Sequence, residues 1–427
     1  MGELVYWIWL SLAVTEGSNT FNKLLCGFNS PEEIYNAGRE DYVSCIGSAS
    51  KDLSALCDKN LDRATKICDF CSRKEIGILT YNDVKFPKFL REIKNPPVLL
   101  YYRGVLPDFN SECFISVVGT RRLSDYGRKN AFTIGRDLAK AGAIVVSGMA
   151  IGIDSVSLAG ALSQNAVTVA FLGSGINVCY PECHKTLAKA IVEKGCILTE
   201  YPPNTEPNGR NFPIRNRLIS GVSCATVVIE GGENSGSMIT ARKAKEQGRA
   251  IYALPGNVDN KTSAVSNSLI KNGAKLITDA YDIVRDFEYQ YLGKLNPFNM
   301  QSGDNHPMME ILTKYKVNCV THSDSVFAHN GSSKRKEVSV VPTQTDKTDT
   351  SVATSTVETD KTSSIAEAGF DKNTMEIYLK IPKGSEVPYS DLTDEKHSMK
   401  DVVRALFRLN LGNFVVLLPG ERVKRSF

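Results

Sequence analysis

A short apolar strand that runs into one glycine and two arginines decides the fold, FISVVGTRR at residues 114–122. Similar runs rich in Val and Ile recur along the chain, with helical patterns between them, at 143–146, 167–172, 196–198, 225–229, 250–254 and 275–277. Continuous apolar strands that alternate with helices are typical of a parallel sheet covered on both faces. We therefore predict an α/β parallel-sheet domain over residues 113–287.

The composition is that of an ordinary globular chain. Its 427 residues are 42% hydrophobic and 23% charged, and the formal net charge is only +4. This balance excludes a wholly disordered chain, a collagen-like fibre and a polytopic membrane protein. The 11 cysteines are too sparse for a disulfide scaffold, so we expect mostly reduced thiols. An apolar run at 4–14 is too short for a membrane span and predicts a buried first helix rather than a targeting segment.

The regions on either side of the sheet have different patterns. Residues 1–72 predict several short helices, one of them beginning at Pro31, and residues 73–112 predict a proline-containing connector. Residues 288–370 predict a flexible linker, because the stretch 332–364 within them is dominated by Ser, Thr, Asp and Lys. Residues 371–427 show the order helix, short helix, helix and β-wing, which predicts a winged helix.

Four of the predicted strands end in glycine-containing loops at what would be one edge of the sheet. In an open parallel sheet, ligands bind beyond the carboxyl ends of the strands, where glycine lets backbone approach a ligand and helix N-termini attract anions. One such loop is often a plain turn, but four of them with paired arginines predict a phosphate-bearing ligand. The candidate phosphate-binding residues in these loops are Gly119, Thr120, Arg121, Arg122, Gly148, Gly173, Ser174, Gly175, Ser235, Gly236 and Ser237.

A second basic cluster lies in the run NFPIRNRLISG at residues 211–221. Guanidinium groups fit phosphate oxygens, so Arg215 and Arg217 are candidates for ligand contact, with one expected to face the ligand and the other to be structural. Tyr180 and Phe212 are the best-placed candidates for base stacking, although core packing is the more expected role of Phe212. The sequence has no G-x-G-x-x-G and no P-loop motif, which argues against a nicotinamide or P-loop nucleotide, and we predict no cofactor.

These motifs together resemble the DNA-processing protein A family (DprA), also called Smf. The resemblance is carried by VVGTR at 117–121, SGMAIGID at 147–154, residues 212–221, and the stretch from EGG at 230–232 to PG at 255–256. It implies an extended Rossmann-like domain, an N-terminal helical domain of the sterile-alpha-motif or helix-hairpin-helix kind, and a C-terminal winged helix. It also implies a cytoplasmic bacterial protein, not an enzyme, that binds and protects single-stranded DNA in natural transformation, forms a homodimer and loads the RecA recombinase.

The resemblance also assigns particular residues. Gly119, Thr120 and Arg121 match the family's Gly-Ser/Thr-Arg element at the DNA pocket. Lys185, shortly after Tyr180, lies where the family places a basic DNA contact.

Two groups of cysteines have to be weighed as metal ligands. The first is the C-x-x-C of residues 68–71, and the second is formed by Cys179, Cys183, His184 and Cys196. Neither spacing matches a standard zinc module, and the residues beside Lys185 are not part of the family's pattern. We predict no metal site.

Functions of two other classes remain as alternatives. Nucleoside-monophosphate hydrolases of the lysine-decarboxylase-like kind share this type of sheet, and Glu230 or Glu233 would have to supply their carboxylate. The serines at 235 and 237 replace their threonine-rich phosphate loop, which argues against this alternative. The winged helix could instead serve as a transcriptional or docking module; because it is only mildly basic, docking to protein and binding to duplex DNA stay equal alternatives.

Overall fold

The computed structural model describes residues 2–233, 235–301, 307–317, 372–382, 385–394, 396–411, 415–418 and 422–425. The chain divides into two compact units, one with the described residues up to 317 and the other with those from 372 onward. Within these ranges, no helix combines the length and the apolar character that crossing a membrane requires.

The first unit begins with helices. They are α1 Gly2–Ala13, α2 Thr20–Leu25, α3 Pro31–Asn36, α4 Arg39–Ile46, α5 Leu53–Cys57 and α6 Asp62–Arg73. The apolar face of α1 is buried, including Trp7 and Leu10, which confirms the predicted buried first helix. Helix α3 begins at Pro31 as predicted, and the hydroxyl of Ser30 accepts a hydrogen bond from the backbone N–H of Glu33 at 3.0 Å.

A nine-stranded sheet forms the centre of this unit. Its strands are β1 Gly77–Thr80, β2 Leu99–Gly104, β3 Phe114–Val118, β4 Ile144–Ser147, β5 Thr168–Phe171, β6 Cys196–Thr199, β7 Ala225–Val228, β8 Ala250–Ala253 and β9 Lys275–Leu276. They lie in the order β1-β2-β6-β5-β4-β3-β7-β8-β9. The seven strands from β6 to β9 in this order pair in parallel, which confirms the predicted parallel sheet.

The segment predicted as a connector adds two further strands to the sheet. Strand β2 pairs antiparallel with β6, and β1 pairs antiparallel with β2. The alternation of Leu100 and Tyr101 places one side chain on each face of the sheet, and both are buried. The sheet therefore begins near residue 77 rather than at 113.

Helices cover both faces of the sheet, because alternate residues of each strand point to opposite sides. One face packs against α1, α6, α8 Asp125–Lys140, α9 Ile153–Leu162, α10 Lys185–Lys194 and α14 Tyr281–Phe287. The other face packs against α7 Lys88–Arg91, α11 Asn211–Val222, α12 Gly236–Glu246 and α13 Ala264–Lys271. In β3, for example, Ile115 and Val117 belong to the first core, and Phe114 and Val118 to the second.

The start of the predicted linker differs from the structure. Helix α15 Met308–Lys314 packs against α9, and Leu295 and Leu312 are buried in the core of the first unit. The ammonium of Lys294 also forms an ion pair with Glu112. These buried side chains fix residue 295 and α15 to the first unit, and the polar stretch that predicts a linker lies further along the chain, at 332–364. Residues 318–371 lie outside the described residues.

The second unit is small and has its own core. It contains helix Lys372–Lys380, strand β10 Val387–Pro388, a 3-10 turn Tyr389–Leu392, helix Met399–Leu411, and strands β11 Val415–Leu418 and β12 Arg422–Arg425. The strands form an antiparallel sheet in the order β10-β12-β11. Ile377, Leu406 and Val415 are among its buried side chains. The two helices and the final pair of strands follow the expected order, a 3-10 turn stands where the short helix was expected, and β10 is an addition. The winged-helix assignment stays a prediction.

Candidate nucleic-acid interface

The four glycine loops lie together at the carboxyl edge of the parallel strands. They follow β3, β4, β5 and β7, and the first of these strands lies between β4 and β7 in the sheet. From β3 the chain continues to one side through β4, β5 and β6, and it then returns to β7 on the other side. Such a switch in strand order opens a crevice at the carboxyl ends, where ligands of open α/β sheets bind.

The glycines of these loops are close to the protein's own atoms. A Cβ added to Gly119 would lie 2.4 Å from Ile153 Cγ1, and one added to Gly148 would lie 2.5 Å from Arg215 Nη2. At Gly173 it would lie 2.8 Å from the Phe212 ring. These three glycines therefore let the loops and α11 pack against each other, rather than opening backbone to a ligand as the sequence suggested.

A row of three side chains forms what we call the stacking wall: Arg121, Phe212 and Tyr180. The guanidinium carbon of Arg121 lies 5.4 Å from the centroid of the Phe212 ring. The Tyr180 ring also packs against the Phe212 ring; the two ring centroids are 5.5 Å apart, and the ring planes are tilted by 37°. Arg121 is exposed and both rings are half-buried, so the wall combines a solvent-accessible cation with aromatic faces.

Arg215 points into the protein. It is 3% exposed, and its Nη1 donates to the carbonyl oxygens of Phe171 and of Gly148, the latter at 3.0 Å. Burial lowers the pKa of Arg215 to about 10, even though the nearby Asp154 carboxylate favours the charged form. Asp154 in turn accepts from the backbone N–H of Gly148 at 3.1 Å. This guanidinium therefore braces the ends of β4 and β5 and does not face solvent.

Arg217 is also buried, on another side of α11. It is 5% exposed and forms an ion pair with the carboxylate of Glu200, which follows β6 and is equally buried. The expectation that one arginine of this run faces a ligand is therefore not met in this structure. Successive residues of a helix are rotated by about 100°, so positions 215 and 217 lie on different sides of α11. Both of these sides are buried in the protein.

Several exposed cations lie near the stacking wall. Arg122 follows Arg121, and Arg210 directly precedes the first turn of α11, which carries Phe212. Lys185 is exposed, and its ammonium forms an ion pair with the carboxylate of Glu182 at 2.6 Å. Such a surface ion pair contributes little to the stability of the fold. Sequence reasoning missed Arg210, whose position directly before the 211–221 run was the available signal.

The remaining candidate residues cap or brace loops. Ser174 is buried and donates to the carbonyl oxygen of Val178 at 2.9 Å. Ser235 caps α12 by accepting from the backbone N–H of Ser237 at 3.1 Å. Exposed Lys261 lies beside this loop, because the carbonyl oxygen of the next residue, Thr262, accepts from the backbone N–H of Gly231. This lysine was also missed by sequence reasoning.

Comparison with known proteins decides the family. The model of the family "DNA recombination-mediator protein A" matches residues 77–288. The chain is 33% identical over 223 residues to the DNA processing protein DprA of Bacillus subtilis, covering 52% of this chain and 75% of that one. The chain belongs to the DNA recombination-mediator protein A family.

Two further comparisons show how much of the chain the similarity covers. It is 39% identical over 208 residues to the Smf protein of Synechocystis, and the match spans 48% of this chain and only 52% of that relative. The crystal structure of DprA from Streptococcus pneumoniae superimposes with a TM-score of 0.57 at 31% identity, over 66% of this chain and 97% of that one. The family match contains the stacking wall and every predicted site residue.

Glu230 of this family member is held inside the protein. It is 1% exposed; one carboxylate oxygen accepts from the backbone N–H of Ser124 at 3.1 Å, and the other accepts from the hydroxyls of Ser124 and Thr262. A carboxylate occupied in this way caps the start of α8 and is not placed to attack a glycosidic bond. The hydrolase alternative is therefore not favoured. Among the described residues, no group of three or more His, Cys, Asp or Glu side chains is arranged to hold a metal ion.

Proposed function

We propose that this chain binds single-stranded DNA at the carboxyl edge of its parallel sheet during DNA processing in natural transformation, without chemical change to the strand. The observation that carries the proposal is the stacking wall. The guanidinium carbon of Arg121 lies 5.4 Å from the centroid of the Phe212 ring, and the centroid of the Tyr180 ring lies 5.5 Å from it. Aromatic faces stack with bases of any sequence, and neighbouring cations follow the phosphates.

The wall favours an unpaired strand over a duplex. In a duplex the base faces are covered by their neighbours, whereas a single strand can turn a base onto Phe212 or Tyr180. Arg121 can stack on the same base or donate hydrogen bonds to the adjacent phosphate, because a planar guanidinium does both. Arg122, Arg210 and Lys261 extend the positive charge along the edge.

Salt dependence and one pair of variants test this function. We expect fluorescent oligothymidine to bind with a log–log salt slope of about −0.7 for each phosphate neutralised. Arg121→Ala is expected to weaken binding about tenfold, the scale of one lost stacking or phosphate contact, with an unchanged thermal midpoint because the side chain is exposed.

Arg103→Ala is the matched control. Arg103 pairs with Ile197 near the amino end of β6 and therefore lies at the opposite edge of the sheet. Equal affinities for the two variants would contradict the proposed interface. A nucleoside-monophosphate hydrolysis assay on the same protein covers the alternative, because turnover abolished by Glu233→Gln would favour the hydrolase.

We further propose, from the family, that the protein is cytoplasmic, forms a homodimer and loads the RecA recombinase. The exposed edge strand β9 supports a contact between two copies, since Leu276 is 46% exposed there and an unpaired edge is a template for strand pairing. Sedimentation velocity of the protein alone and with RecA tests both contacts.

We also propose a sterile-alpha-motif or helix-hairpin-helix role for α1–α6 and a winged-helix role for the second unit. In that unit, Met399 and Val403 are exposed one helical turn apart. Apolar side chains on this face favour docking to a protein over binding to duplex DNA.

A further inference from the structure

His184 is a buried histidine that the proposed function leaves without a role. It ends the 3-10 turn Glu182–His184 and immediately precedes Lys185. Its side chain is completely buried. The Nδ1 atom lies 2.9 Å from the carbonyl oxygen of Met149, and Nε2 has no hydrogen-bond partner.

These contacts define the protonation state of the imidazole. A carbonyl oxygen only accepts hydrogen bonds, so Nδ1 carries the proton and donates it to Met149. A second proton on Nε2 would create a buried cation without an acceptor, and burial accordingly lowers the pKa of His184. The ring is therefore neutral at pH 7.

The loop that receives this hydrogen bond also backs the stacking wall. Met149 has a left-handed backbone conformation, with φ of +53°. Three residues later, Gly152 has φ of +96° and contacts the first glycine loop so closely that an added Cβ would lie 2.8 Å from Arg121 Cα. The Met149 loop therefore packs directly against the backbone of Arg121.

The hydrogen bond links the segment that carries Tyr180 to the loop that packs against Arg121. Tyr180 lies on the same segment as His184, four residues earlier, and Arg121 rests on the loop of Met149. Both side chains lie beside the Phe212 ring. We propose that His184 is a positioning residue for strand binding: its neutral imidazole ties the Tyr180 segment to the Met149 loop and so sets the spacing of the stacking wall. This inference rests on the proposed function, because its effect is read out as strand affinity.

The groups on the two segments that this hydrogen bond joins bear on any pH dependence. Cys179, Glu182, Cys183 and Lys185 lie on its own segment, and Asp154, Arg215 and Arg121 contact the 148–152 loop that accepts its hydrogen bond. Neighbouring contacts lower the pKa of Glu182 and raise that of Lys185, and burial raises the pKa of Cys179, so these three move away from the range between pH 5 and 7. Burial raises the pKa of Asp154 towards that range, and the test must separate it from His184.

The affinity for oligothymidine between pH 7.5 and 5, at constant ionic strength, tests the inference. Because burial lowers the pKa of His184, its neutral form persists to a more acidic pH than that of a free imidazole, and strand affinity is expected to fall only at the acidic end of this range. Added positive charge elsewhere on the protein would by itself raise the affinity for DNA, so the sign of this change is diagnostic.

Two substitutions separate the roles of this residue. His184→Asn places an amide N–H near the position of Nδ1 without a titrating ring, and it is expected to bind like the wild type at pH 7.5 and to lose the acid decline. His184→Leu has no donor and is expected to weaken binding about tenfold at pH 7.5, the scale of one base–aromatic stack. An acid decline that persists in His184→Asn assigns it to another group, such as Asp154, and overturns the inference.

A double-mutant cycle asks whether the effect passes through Tyr180. In a Tyr180→Leu background, His184→Leu is expected to reduce strand affinity little further. In a Lys185→Ala background, His184→Leu should reduce strand affinity by its full factor. If the losses of strand affinity in His184→Leu and Tyr180→Leu simply multiply in the double variant, the positioning role is overturned. A wild-type protein that binds no oligothymidine at any pH would instead contradict the proposed function itself, and the inference with it.

Discussion

Three arginines near the carboxyl edge of the sheet differ in function because their guanidinium groups lie in different environments. Arg215 donates to backbone carbonyls inside the protein, and Arg217 pairs with buried Glu200. Arg121 alone of the three is exposed, lying over the ring of Phe212. A buried guanidinium fixes the geometry of the loops, and an exposed one is available to a phosphate.

The buried pair predicts a large and asymmetric stability effect. Arg217→Met leaves the Glu200 carboxylate without its partner, so we expect the free energy of unfolding to fall by about 3 kcal/mol or more. Replacing both residues, as Arg217→Met with Glu200→Leu, should recover most of that loss, because no unpaired charge remains. Urea denaturation measures both values, and a single variant no less stable than the double variant would contradict this prediction.

At the scale of the element, α8 shows how a helix start is fixed at the rim. Ser124 caps it by accepting from the backbone N–H of Gly127 at 3.0 Å, and Glu230 holds Ser124 from the neighbouring strand end. A negative carboxylate is favourable at a helix N-terminus. Gly127 is the small residue that lets Glu230 approach, since an added Cβ would lie 2.1 Å from Glu230 Oε2.

This arrangement predicts that alanine destabilises α8 at a position where it would normally help. Glycine-to-alanine changes in a helix usually add up to about 1 kcal/mol of stability. Gly127→Ala should instead lower the free energy of unfolding, because the methyl group displaces Glu230. Gly236→Ala in the first turn of α12, where a Cβ meets nothing within 4 Å, is the control and should be neutral or stabilising. Equal thermal midpoints for both variants would count against this account of the helix start.

At the scale of the whole molecule, the first unit extends beyond the family match. The match ends at residue 288, but the described structure of this unit continues to 317. Helix α15 packs on α9, which begins at the loop behind Arg121. The extension therefore supports the helical layer that carries part of the candidate site.

Two truncations test this boundary. A chain ended after Val317 keeps the buried Leu295 and Leu312 and is expected to bind oligothymidine with nearly the affinity of the full chain. A chain ended after Tyr289 exposes the surface that those two leucines cover, and it should unfold at a lower temperature. Thermal unfolding and strand titration of the two chains provide the comparison; complete loss of binding in the 317 chain would place the activity in the second unit.

The local pattern of residues determined the parallel sheet, the buried first helix and the loops at the carboxyl edge, because periodicity and strand-end glycines act over a few residues. The same pattern identified Arg121, Tyr180 and Phe212. Only the tertiary structure brought these three side chains into one wall and turned Arg215 and Arg217 inward, since burial depends on what packs against a helix from distant parts of the chain. It also added β1 and β2 to the sheet and ordered α15, because antiparallel pairing and helix docking are long-range contacts that no local pattern encodes.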